Sequence, residues 1–140
     1  MTDSNVIDLF AAFSTNKKAE KDGVETTLPG CGDTKFLIAR AGNATYKRLL
    51  NGLYKRHRAV IDSKGEAAEA KSDEILAEVY AKAILLGWAG TLAYKGKQVP
   101  YSYEVAHELL SLNDFRAVVE TVSQDFNTFK SEQDEADLKN

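Results

Sequence analysis

The sequence has 140 residues, of which 44% are hydrophobic, and its 18 basic and 21 acidic side chains give a formal net charge of −3. This length is typical of one domain of about 100–200 residues, which can bury a core without disulfides or metals. One cysteine and two histidines exclude an internal disulfide framework and disfavour a zinc site. No apolar run approaches the ~18 residues of a membrane span, and the first residues lack the basic segment of a secretion signal. We therefore expect a soluble protein of a reducing cytoplasm.

The charges are unevenly distributed along the chain. Residues 40–58 contain six basic side chains and no acidic one, whereas residues 104–140 contain nine acidic and three basic side chains. Such a distribution indicates a charged partner, or pairing between the basic part of one copy and the acidic part of another.

Residues 1–22 are predicted to form a short N-terminal helix followed by a polar arm. Ser4 can cap a helix whose apolar residues recur at helical spacing, namely Val6, Leu9, Phe10 and Phe13. This apolar face could pack on the domain or dock on another chain. The polar residues after it end at Asp22-Gly23, a turn signal.

Residues 23–130 are predicted to form a single globular α+β domain that opens with a two-stranded ribbon. The two apolar stretches, at residues 23–28 and 35–41, flank a Gly- and Pro-containing loop. A ribbon of this size needs other elements to pack on it.

Two long helices are predicted next. Asn43 can cap a helix over residues 43–61, in which Gly52 suggests a close contact with a neighbouring element because glycine weakens a helix. The second helix, over residues 66–86, has acidic residues in its first turns, which suits the helix dipole, and Gly87 is expected to end it.

The last part of the domain is predicted to be a short hairpin and two helices. The hairpin covers residues 88–101 around Lys95-Gly96-Lys97, Ser102 caps the next helix, and Asp114 caps the last one. The acidic residues 131–140 are expected to be a disordered tail. The predicted fold class is therefore α+β and mainly α-helical, with about five helices, a small β-ribbon near the N-terminal third and a short β-hairpin.

The sequence lacks the residue patterns that are typical of catalytic, nucleotide-binding and metal-binding sites. The Gly30-Cys31-Gly32 segment lacks the Lys-Ser/Thr pair of a phosphate-binding loop and precedes a strand. Cys31 has no histidine near it in sequence, and neither His57 nor His107 belongs to a cluster of metal-ligand residues. We expect no catalysis, no cofactor and no metal.

The basic helix over residues 43–61 suggests a nucleic-acid-binding regulator as one alternative. Its cations could contact phosphates, and Tyr46 and Tyr54 could stack on bases. Both tyrosines fall on the apolar stripe of the helix, however, and the sequence pI is near 5.4, which is low for a dedicated nucleic-acid binder. An acidic protein partner or a contact between copies is the favoured interpretation.

The second half of the chain contains an ordered set of short motifs. They are Gly87-Trp88-Ala89-Gly90, Gly96-Lys97, Val99-Pro100-Tyr101-Ser102, Leu109-Leu110 and Asp125-Phe126-Asn127-Thr128-Phe129. This order resembles the tail assembly chaperones of long-tailed bacteriophages. That family typically has a Trp-x-Gly hairpin, a Gly-Lys turn, a Val/Leu-Pro-Tyr/Phe-Ser step, a helix ending in paired leucines and a final helix ending near Asn-Phe. Ile38-Ala39-Arg40-Ala41-Gly42-Asn43 is similar to the family's opening block, so the resemblance covers residues 36–129.

The resemblance implies a role without catalysis. Members of that family act in the cytoplasm of the infected bacterium, coat the tape measure protein and help recruit tail tube protein subunits, and are absent from the mature virion. Some also exist in a longer frameshifted form. The alternative to a chaperone is a structural virion component of the phage tail or connector.

Two sets of residues are candidates for protein binding in a homo-oligomer or with a client. The first set would shape an aromatic contact region and comprises Trp88, Tyr94, Tyr101 and Tyr103. The second would form a charged interface and comprises Arg48, Lys55, Arg56 and Arg58. The first set is also typical of core anchors, and the second of a solvated helix face.

Overall fold

The computed structural model describes residues 6–130. The seven helices in this range are α1 (Leu9–Ala12), α2 (Lys17–Asp22), α3 (Ala44–Arg56), α4 (Arg58–Ser63), α5 (Glu66–Ala83), α6 (Tyr103–Leu110) and α7 (Asn113–Gln124). The five strands are β1 (Val24–Thr26), β2 (Phe36–Ile38), β3 (Leu85–Trp88), β4 (Thr91–Tyr94) and β5 (Lys97–Pro100). A 3-10 turn, Phe126–Phe129, follows α7.

The predicted fold class is confirmed, because the chain is α+β and mainly helical with two small antiparallel sheets. The expected ribbon is present as β1 and β2, in which Val24 lies opposite Ile38. The helices are more numerous than expected, since α2 was not predicted and the basic helix is divided in two. The Ser4 cap and the predicted disordered tail lie outside the described residues.

A break at His57 divides the predicted helix 43–61 into α3 and α4. The His57 backbone leaves the helical region, at φ −108° and ψ 21°. The chain then turns so that Ile61 packs against the same small cluster as Leu53, together with Ile75 and Val79 of α5. Packing on α5, rather than any glycine or proline, redirects the helix here. The prediction of one continuous helix was wrong.

The prediction that the next helix runs to Leu86 was also wrong. Helix α5 ends at Ala83, and β3 pairs with β2 so that Phe36 lies opposite Trp88 and Leu37 opposite Gly87. Gly87 is therefore a strand residue and not a helix terminator. This pairing completes a three-stranded sheet in the order β1-β2-β3, and it buries the side chains at both ends of β3.

The hairpin is shorter than predicted, since only β4 and β5 form it. Its connection is Lys95-Gly96, and both residues have positive φ, at 50° and 80°. A two-residue loop with positive φ at both positions is typical of a hairpin turn that matches the twist of the strands. Trp88 belongs to the other sheet, so it is not a hairpin residue.

Two of the predicted helix caps are confirmed. The Asn43 side chain accepts a hydrogen bond from the Tyr46 N–H at 2.9 Å, and Ser102 accepts one from the Val105 N–H at 3.2 Å. The Asp114 cap is wrong, because α7 begins at Asn113 without a side-chain cap. The close contact expected at Gly52 is wrong as well, since a Cβ built there would meet no atom within 4 Å.

The core forms around α5, which lies against α3, α4, α6 and the three-stranded sheet. Tyr80 of α5 is buried, and its ring packs edge-on to Tyr46 of α3 at a centroid distance of 5.7 Å. Phe129 in the 3-10 turn is also fully buried. The 3-10 turn therefore contributes to the core, and it contacts α2 and α7.

Candidate protein-binding surfaces

The N-terminal segment, residues 6–13, exposes an apolar surface. Six large hydrophobic side chains are exposed within residues 6–130, and five belong to this segment: Val6, Ile7, Leu9, Phe10 and Phe13. Phe10 is 87% exposed. Several exposed apolar side chains in one short segment are typical of an interaction site. We call this segment the apolar arm.

Local hydrogen bonds and one aromatic contact stabilise the conformation of the apolar arm. Asp8 caps α1, because its Oδ1 accepts from the N–H groups of Phe10 at 3.1 Å and Ala11 at 3.3 Å. The Phe13 ring stacks on Phe126 with a centroid distance of 4.9 Å. This contact joins the arm to the 3-10 turn while Phe10 faces solvent.

Helix α2 is joined to the domain by backbone and charged contacts. The Asn16 N–H donates to the Phe129 carbonyl at 2.8 Å, and the Arg40 N–H donates to the Glu20 carbonyl at 2.8 Å. Arg40 also forms an ion pair with the Glu20 carboxylate. Burial raises the pKa of Glu20, but hydrogen bonds from Thr15 and Arg40 outweigh it and hold that pKa below its usual range.

The predicted basic set lies on the surface of α3 and α4. Arg48, Lys55, Arg56 and Arg58 are all exposed, and so is Lys47. The helical period places Lys47, Arg48 and Lys55 on the side of α3 opposite the buried Leu53. We call these five residues the basic face.

A shallow groove runs along the end of the basic face. It is lined by Asn51, Tyr54, Lys55, Arg58, Ile61 and Asp62. Within residues 6–130, none of the five cations of the basic face forms an ion pair with an acidic side chain. The groove is therefore positively charged at Lys55 and Arg58, and it is partly apolar at Tyr54 and Ile61.

Trp88 and Tyr101 of the predicted aromatic set pack on each other. Trp88 is 7% exposed, its ring lies 5.0 Å from Tyr101 in an edge-on arrangement, and its Nε1–H donates to the Val99 carbonyl at 3.3 Å. Trp88 also packs edge-on to Phe36. It thus joins the two sheets from inside the core, and it supports the surface around it rather than forming that surface.

Tyr94 and Tyr103 are half-buried, and both lie at α6, to which Tyr103 itself belongs. Lys95, beside Tyr94, forms an ion pair with Glu108 of α6, and a hydrogen bond to the Glu108 carboxylate raises the pKa of Tyr94. Tyr103 stacks on His107 at 5.7 Å. The structure brings Trp88 and Tyr101 together. The basic set lies on α3 and α4, and no member of the aromatic set belongs to those two helices.

Both histidines line one cleft, and no local sequence signal predicts this. His57 and His107 are 50 residues apart, and the packing of α3 and α6 on α5 brings them to the same cleft as Glu74 and Glu78. Within residues 6–130, no three His, Cys, Asp or Glu side chains are placed so that they could hold a metal ion. Burial raises the pKa of the Cys31 thiol, which favours its unreactive protonated form.

The comparisons place the chain among prophage proteins. None of the helices in residues 6–130 combines the length and the apolar character needed to cross a bilayer. No curated protein and no solved structure shows significant similarity to the chain. The family model described as YdaY prophage protein matches residues 41–140, which is well over half of the sequence. The chain therefore belongs to the YdaY prophage protein family, a phage-related family.

Proposed function

We propose that this prophage protein is a tail assembly chaperone, a binding module without catalysis that holds the tape measure protein and helps recruit tail tube protein subunits in the host cytoplasm. Membership of a prophage family supports the phage context. The ordered motifs over residues 36–129 support the tail role by their resemblance to that chaperone family.

The exposed apolar arm is the observation that carries the proposal. A chaperone for a long helical client needs apolar side chains that can lie against the apolar face of a client helix. Leu9 is 65% and Phe10 is 87% exposed, so both can be covered without unfolding the domain. Burying a Leu or Phe side chain contributes about 1.5–3 kcal/mol, and several such contacts are enough for reversible binding.

Co-expression with the tape measure protein of the same prophage tests the proposal. We expect the tape measure protein to be more soluble with this chain than without it. The double variant Leu9→Ser/Phe10→Ser should lose much of this effect, because it removes two exposed apolar side chains and no core contact. Leu112→Ser is the matched control, since Leu112 is 59% exposed on another part of the surface.

Two results would contradict the proposal. The first is a tape measure protein whose solubility does not depend on this chain. The second is the presence of many copies in purified virions, measured by mass spectrometry, which would indicate a structural component of the tail or connector instead.

A further inference from the structure

We propose that the basic face binds the acidic residues 132–137 of a second copy of this chain, so that copies associate head to tail. This inference concerns self-association and does not depend on the proposed client.

The charges of the two surfaces are complementary. The basic face presents five exposed cations, and Asp62 is the one acidic residue that lines its groove within residues 6–130. Residues 131–140 contain four acidic side chains, Glu132, Asp134, Glu135 and Asp137, and one basic side chain, Lys139. Positive and negative surfaces of this kind favour association and fix its orientation.

The position of Lys130 favours a second copy over the chain's own acidic segment. Lys130 pairs with Thr15, and the neighbouring Phe129 lies 6.0 Å beneath the Arg40 guanidinium, so the chain reaches residue 131 beside the loop that begins α3. Lys55 lies at the other end of α3, about 17 Å along its axis from Ala44 at 1.5 Å per residue, and Arg58 follows in α4.

Not all of the acidic residues of the same copy can reach that end. Glu132 and Asp134 lie two and four residues beyond Lys130, so even a fully extended chain carries them at most about 7 Å and about 14 Å. A second copy brings its acidic segment to the groove without this limit. Because the two surfaces differ, such a contact is heterologous and can continue from copy to copy.

An acidic protein segment fits the basic face better than nucleic acid does. Tyr46 is not available for stacking on a base, because its ring packs on Tyr80 in the core. Tyr54 lines the groove together with Ile61, which offers an apolar contact to Ala136 of the acidic segment. The net charge of −3 would also repel a polyanion.

Sedimentation at low and high salt tests the contact. At about 20 mM salt, where screening is weak, the weight-average mass should rise above the 15.4 kDa of one chain as concentration increases. At about 0.5 M salt it should return to that of one chain. Association through the apolar arm would not weaken with salt, so salt dependence separates the two surfaces.

Charge variants identify the partners in the contact. The face variant Lys55→Glu/Arg58→Glu and the tail variant Glu132→Gln/Asp134→Asn/Glu135→Gln/Asp137→Asn should each sediment as one chain at low salt. The control Lys18→Glu/Lys97→Glu changes charge by the same amount as the face variant at two exposed positions, and it should associate like the unmodified chain.

Mixing the two variants tests whether the basic face and the acidic segment are the two partners. The face variant retains its acidic segment and the tail variant retains its basic face, so an equimolar mixture should form a one-to-one dimer that grows no further. No association on mixing would overturn the proposal.

Two further results would also overturn it. One is an unmodified chain that remains a monomer at low salt. The other is salt-sensitive binding of a fluorescent oligonucleotide that is lost in the face variant while no self-association is seen, which would assign the basic face to nucleic acid.

Discussion

Arg116 provides a sharp test of how the helical layer is held together. Its side chain on α7 is buried, with the residue 6% exposed. Nη1–H donates to the Leu110 carbonyl at 3.1 Å, and Nη2–H donates to Asp73 at 3.0 Å and to Asn113 at 3.0 Å. The guanidinium thus joins the end of α6 to α5 and to the start of α7.

Arg116→Met keeps most of the side-chain volume and removes these three bonds. Asp73 and Asn113 are exposed enough for water to replace the guanidinium, so each lost bond costs up to about 1 kcal/mol. The carbonyl of the fully buried Leu110 has no such replacement, and an unsatisfied buried acceptor costs about 1–3 kcal/mol. Removing a desolvated cation whose Nε lacks a partner among the described residues offsets part of this.

We therefore expect Arg116→Met to lower the free energy of unfolding by about 2 kcal/mol, which is about 6–10 °C in Tm for a chain of this length. Asp73→Asn should cost about 1 kcal/mol or less, because the Asp73 side chain is 49% exposed. Urea unfolding followed by tryptophan fluorescence measures both, since Trp88 is the only tryptophan and is buried. Arg116→Met within about 0.5 kcal/mol of the parent, or a larger effect of Asp73→Asn, would refute this reasoning.

Two other predictions concern α3 and α2. Gly52→Ala should raise the free energy of unfolding by about 0.5–1 kcal/mol in urea titrations, because alanine favours the helix and a Cβ at this position meets no neighbour within 4 Å; a destabilised variant would contradict this. Glu20→Gln should destabilise the protein at pH 7 and make less difference at about pH 3.5. The pKa of Glu20 is lowered from 4.5 in the folded protein, so its contribution is present above about pH 4.5 and is lost as the pH falls through the folded pKa. Urea unfolding at the two pH values measures this, and an equal loss at both would count against it.

Local signals predicted the elements whose ends depend on their own residues. Asn43 and Ser102 were identified as caps from residue type and position alone, and both caps exist. The apolar character of the arm was likewise visible in the spacing of its residues. These features depend on contacts between residues a few positions apart, which a sequence displays directly.

Elements that depend on distant contacts were not predictable in the same way. Leu85 and Leu86 continue the apolar pattern of α5, and only the pairing with β2 makes a strand of them. Helix α2 has a polar sequence, and it is joined to the domain by contacts with Phe129 and Arg40. The bend at His57 has no glycine or proline beside it in the sequence. Packing on α5 causes the bend, so no local residue predicts it.

The same limit applies to the candidate surfaces. The exposure of the basic face follows from the helical period, so the sequence indicated it. The burial of Trp88 between the two sheets depends on β2 and Tyr101, which are distant in sequence.

The pairing of Thr15 with Lys130 joins two residues that the ribosome makes at very different times. About 115 residues separate the two partners, and at about 5–20 residues per second the ribosome needs about 6–23 s to make them. The apolar arm therefore leaves the ribosome well before the 3-10 turn, which supplies Phe126 and the Phe129 carbonyl, has been made. During that interval the arm is available to a partner before its own domain has closed.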